Sequence, residues 1–179
     1  DRRDGIWLRD IDPMHAFVPY LMPNRADNEA FIQEQVDLTK LLAYLEKKNA
    51  NETDFKYTFF HAISAAIVKT VVLRPQLNRF VKGCRLYQRN DISLAFTLKK
   101  QFSDEAHEAL AFMKFDENTT IETVHESIKN EVRSCRSDKL DNSTAGMDTL
   151  SKLPRWFMRF VMVILRRLDF YGRVPYSLI

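Results

Sequence analysis

The chain has 179 residues, 45% of them hydrophobic and 28% charged, which is the balance of one globular domain long enough to bury a real core. A net charge of +3 is too small to imply a nucleic-acid partner, and four glycines leave no G-x-G-x-x-G or G-x-x-x-x-G-K-S/T phosphate loop. Two cysteines, Cys84 and Cys135, form neither a metal-ligand spacing nor a disulfide framework, so they read as small buried hydrophobes in a reducing, cytoplasmic setting.

Residues 1–27 read as an N-terminal arm. It opens Asp1-Arg2-Arg3-Asp4-Gly5 without a methionine or an apolar run, so the expectation is a processed or trimmed piece with no signal peptide. Pro13, Pro19 and Pro23 are spaced too closely for a helix, yet Trp7, Phe17, Val18 and Tyr20 make the arm too apolar for a free tail. Phe31–Leu38 alternates like a strand, and Thr39–Lys48 follows as a surface helix with Leu41, Leu42 and Leu45 inward. Thr58–Leu73 carries apolar residues on nearly every face, including Ile63 and Ile67, and reads as a helix buried inside the domain. The Arg74-Pro75 step stops it, because proline has no N–H and disfavours helical geometry in the residue before it.

After a Gln76-Leu77-Asn78 elbow, Arg79–Arg89 and Ile92–Lys99 read as two strands of a hairpin turning at Asn90-Asp91. Glu108–Lys114 is a further strand, marked by Leu110 and Phe112. Thr119 and Glu122 have the spacing of a capping box, and Ile121, Val124, Ile128, Val132 and Cys135 form one helical stripe behind them. Residues 137–151 have the composition of a flexible linker. Residues 152–179 then hold a basic amphipathic helix, Pro154–Phe170, with a Gly172 stop and the opening of another strand at Pro175–Ile179. Between Lys152 and Arg173 six basic residues face Asp169 alone.

The order of motifs resembles the chloramphenicol acetyltransferase-like superfamily, closest in character to the catalytic domain of the dihydrolipoamide acyltransferases of 2-oxo acid dehydrogenase complexes. The residues that carry it are Phe31 to Leu42 with their Asp37-Leu38-Thr39 helix start, the apolar helix ending in Arg74-Pro75-Gln76-Leu77-Asn78, and the strand Asp91-Ile92-Ser93-Leu94-Ala95-Phe96. The likeness covers residues 28–136, the core. It implies an α/β two-layer sandwich, a mixed sheet with helices packed on it, with the C-terminal part of the fold missing. It also implies acyl transfer between coenzyme A and a thiol or hydroxyl acceptor, a lipoyl-type or small-molecule one, with a coenzyme A thioester as co-substrate, no covalently bound cofactor, and a homo-oligomer, commonly a trimer.

The family's His-x-x-x-Asp-Gly motif, whose histidine deprotonates the acceptor, is absent. Four residues beyond His15, His61, His107 and His125 stand Pro19, Ala65, Ala111 and Lys129. The expectation is therefore a catalytically incomplete piece or a non-catalytic relative, with no catalytic residue and no metal ligand assigned. By resemblance the substrate-binding candidates are Phe17, Tyr20 and Arg25, and His15 lies in the same aromatic-rich arm. His61 reads as a buried, hydrogen-bonded histidine, His125 as a surface residue of its amphipathic helix, and His107, among Asp104, Glu105 and Glu108, as part of a solvated turn. The last helix reads as packing on protein through Trp156, Phe157, Phe160, Val161, Ile164, Leu165 and Leu168. The alternative is a non-catalytic scaffold or membrane-surface module using its arginines.

Overall fold

A computed structural model describes residues 1–99, 108–136 and 154–173. The predicted linker, His107 and the strand opening at Pro175–Ile179 lie outside the described residues. The elements run β1 (Gly5–Trp7), α1 (Pro13–Leu21), a 3-10 turn (Arg25–Asn28), α2 (Thr39–Asn49), α3 (Phe59–Leu73), a second 3-10 turn (Pro75–Asn78), β2 (Arg79–Lys82), β3 (Arg85–Arg89), β4 (Ile92–Lys99), β5 (Glu108–Phe115), α4 (Ile121–Arg136) and α5 (Arg155–Phe170). The α/β architecture expected from the sequence is present. Its described strands pair antiparallel in two sheets, one ordered β1-β3-β2 and one formed by β4 and β5.

Several elements differ from the sequence reading. Pro13 and Pro19 both sit inside α1. Pro13 occupies the first turn, where its missing N–H has no partner to lose, and Asp12 caps the turn by accepting from the Met14 N–H at 2.9 Å. Phe31–Leu38 is not a strand: it has no ladder partner among the described residues, and Phe31, Ile32 and Val36 are exposed. The single strand expected over Arg79–Arg89 is a two-residue hairpin. Gly83 and Cys84 both have positive φ (57° and 56°), the pattern of a type I′ turn. Cys84 is therefore a half-buried loop residue, whereas Cys135 is buried as expected. Asn90-Asp91 does not close a hairpin; it carries the chain from one sheet to the other.

The core lies between α3, α4 and the β4–β5 sheet. Met113, Val124 and Ile128 are buried there against Phe55, Ala65, Leu94, Phe96, Phe115 and Val132. On β5 the inward residues are Ala109, Ala111 and Met113, and Leu110 and Phe112, which marked the strand, point out. α3 is buried only along His61, Ser64 and Val68, and Ile63 and Ile67 are 40% and 44% exposed. One stripe is enough for a helix covering one layer, so its wider apolar surface stays outside. Leu45 is the buried residue of α2, and Leu42 is exposed. The α4 cap is Thr120, whose Oγ1 accepts from the Thr123 N–H at 3.4 Å, because Thr119 is engaged in the Asp116 turn.

α5 ends as the sequence predicts. Gly172, at φ +64°, closes a Schellman turn in which the Gly172 and Arg173 N–H groups donate to the carbonyls of Asp169 and Leu168. The Arg2 guanidinium donates to the Asp169 carbonyl (2.5 Å), and Asp169 pairs with Lys82, so this end is clamped to the β1-β3-β2 sheet. Phe157, Val161, Leu165 and Leu168 are half-buried, but Trp156, Phe160 and Ile164 are exposed, against the expectation that the whole stripe packs on protein.

Candidate functional site

The arm and the first sheet enclose an open groove of about 510 Å³, within the range of small-molecule sites. β1 forms its floor by pairing with β3, and the Leu8 N–H continues the ladder to the Leu86 carbonyl at 3.0 Å. This pairing brings Trp7 beside Arg85. The Arg85 and Arg9 guanidiniums stack on the indole, 4.3 and 4.7 Å from its centroid. α1 forms the other wall with His15, Pro19 and Tyr20, and it is tied across by Cys84 Sγ, 3.8 Å from the Pro19 carbonyl. Among the described residues no acidic side chain lines the groove. Two pre-oriented guanidiniums without a competing carboxylate suit an anionic ligand.

Of the three substrate-binding candidates, Tyr20 lines this groove. Phe17 is exposed and not among the lining residues. Arg25 also lies elsewhere, almost fully exposed and 3.4 Å from Glu29. His15 lines the groove with its ring open to water, its Nδ1 3.8 Å from Asp12 Oδ1, too far for a hydrogen bond. Trp7, Arg9, Cys84 and Arg85 were not foreseen. Their only trace in the sequence is the Trp7-x-Arg9 spacing, which means nothing until β1 is paired to β3.

The second constellation is buried. His61 and His125 lie 5.0 Å apart by ring centroids, enclosed by Phe55 and by Tyr57, which stacks on His125 at 3.9 Å. His125 is 1% exposed, contrary to its surface assignment. The signal was present: position 125 belongs to the same stripe as Ile121, Val124 and Ile128. His61 completes a capping box on α3, since its Nδ1 accepts from the Thr58 N–H at 3.0 Å, which leaves the proton on Nε2. The His125 Nε2–H donates to the Phe55 carbonyl at 2.6 Å, which leaves Nδ1 bare. His61 Nε2 and His125 Nδ1 are therefore a buried donor and a buried acceptor, neither with a hydrogen-bond partner among the described residues. Burial first, and then the neighbouring His125, lower the His61 pKa to about 4. Both rings are closed to substrate. Among the described residues no three His, Cys, Asp or Glu side chains converge as a metal site.

Comparison with known proteins places the fold. A solved structure of a probable dihydrolipoamide acetyltransferase from Listeria monocytogenes 4b F2365 superposes with a TM-score of 0.53 at 18% identity, over 76% of this chain and 59% of that one. The chain thus has an acyltransferase-like α/β fold and spans about three fifths of that protein's length. No protein-family model matches the chain, and no curated protein does.

Proposed function

We propose that the chain is the coenzyme A-dependent acyltransferase-like part of an enzyme that moves an acyl group between coenzyme A and a thiol or hydroxyl acceptor, a lipoyl-type or small-molecule one. The observation that carries this reading is the fold shared with the acetyltransferase structure, together with a groove of matching charge beside it. In the transfer an acceptor thiol loses its proton to a base and attacks the thioester carbonyl. The carbon–sulfur bond to coenzyme A breaks, and the departing thiolate takes up a proton. The reading assigns binding to this chain: Arg9 and Arg85 meet the coenzyme A phosphates, and Tyr20 borders them. It assigns the acceptor side to Phe17 and Arg25, shared with another copy of the chain in a cytoplasmic homo-oligomer, a trimer by resemblance. The exposed Phe31, Ile32 and Val36 support an oligomer, since adjoining apolar side chains of this size rarely face water in a monomer. The base is not one of the two buried histidines.

Calorimetric titration with coenzyme A tests the groove. Binding weakened at least tenfold by Arg85→Glu combined with Arg9→Glu is the expected result. No binding at millimolar coenzyme A, or equal binding by wild type and variant, refutes the assignment.

A further inference from the structure

The outward face of α5 has a built pattern that the acyl-transfer reading does not use. Trp156, Phe160, Val163 and Arg167 follow one another at spacings of four, three and four residues, one stripe about 16 Å long at the helical rise, and Phe170, one step further, lies over Gly83 of the β2–β3 turn. Its three apolar members are all more than half exposed, Trp156 at 71%. A second stripe lies beside it with the same spacing: Arg155, Arg159, Met162 and Arg166, all exposed. None of Arg155, Arg159, Arg166 and Arg167 makes an ion pair with a described residue. The one acidic residue of the helix, Asp169, is turned inward onto Arg2 and Lys82. The same clamp holds the helix by its C-terminal end, and the side chains of both stripes from Arg155 to Arg167 are exposed.

We infer that this face of α5 docks on an anionic lipid surface, with the aromatic stripe seated among the acyl chains and the arginine stripe on the phosphates. Charge complementarity selects this occupant. A two-fold contact with a second copy presents the same patch on both partners, setting one basic stripe against the other. A membrane gives both stripes what they need at once: arginine stems lie along apolar surface while their heads reach phosphate, and indole and phenyl rings sit at the boundary. No helix of the described residues is long and apolar enough to cross a membrane, so α5 lies on the surface. The inference does not depend on the acyl-transfer reading.

The test is co-sedimentation of the full chain with vesicles of 40% phosphatidylglycerol in phosphatidylcholine, against pure phosphatidylcholine, at low and high salt. Trp156 emission is read in parallel, with Trp156→Phe as its control. The expected result is binding to the anionic vesicles only, released by salt, with a blue shift that Trp156→Phe removes. Arg155→Glu, Arg159→Glu and Arg166→Glu together should weaken binding on the order of 100-fold, from about 1 kcal/mol per basic residue near an anionic surface. Trp156→Ser with Phe160→Ser should weaken it even at low salt. All five side chains are exposed, so circular dichroism and urea midpoints should stay unchanged. Equal binding to neutral and anionic vesicles, or none to either, overturns the inference. So does a concentration-dependent dimer that the same variants abolish, which would make a second copy the occupant.

Discussion

Acidification should destabilise this protein through His61 before it reaches the carboxylates. The folded chain holds His61 neutral down to about pH 4, whereas the unfolded chain takes up the proton near 6.5. A base with a lowered folded pKa contributes stability that is complete above the unfolded value and is lost as pH falls toward the folded one. At 1.36 kcal/mol per unit, lowering pH from 7.5 to 4.5 should remove roughly 2.5 kcal/mol, a large share of a typical domain's stability. The carboxylates act in a lower window. Lys48 holds Glu122 down to about 2, and Lys129 and Arg133 hold Asp54 below its usual range, so their contributions are lost mainly below pH 4.5. His61→Gln isolates the effect, because glutamine at this position still accepts from the Thr58 N–H in a capping box. Urea unfolding between pH 7.5 and 4.5 should show a wild-type slope about one proton steeper than that of the variant. Parallel curves, or a His61 ring signal titrating near 6.5 by NMR, would refute the reasoning.

Ile128→Ala, in the core against Met113 and Val124, should cost about 2–5 kcal/mol in urea unfolding, whereas Ile63→Ala and Ile67→Ala should each cost about 1 kcal/mol or less. Cys84→Gly relieves a left-handed backbone worth about 1 kcal/mol, and Cys84→Val adds a β-branch to it, so glycine should melt above wild type and valine below. With acetyl-CoA and dihydrolipoamide, these 179 residues should release no coenzyme A thiol above the blank, since neither buried histidine can reach an acceptor. Repeated turnovers by the purified chain would place a base outside the two buried histidines.

Local chemistry was legible in the sequence at several positions where one residue decides the backbone. Pro75 ends α3 and Gly172 ends α5. Asp37 Oδ1 takes the Thr39 N–H at 2.9 Å at the start of α2, and the α4 stripe buries Val124, Ile128 and Cys135. These outcomes depend on a missing N–H, a positive φ, a cap or a 3.6-residue period, and each acts within a turn or two of chain. What only the tertiary structure decided is the partner of each surface. Among the described residues, Phe31–Leu38 has a strand's alternation but no neighbouring ladder, and Ile63 and Ile67 have the apolarity of a core but lie on the side of α3 that no described layer covers. Trp7, Arg9 and Arg85 become a cationic groove because β1 pairs with β3, across some 80 residues of chain. Periodicity tells which face of an element is apolar, but which apolar face is covered depends on how many layers the fold has to cover it.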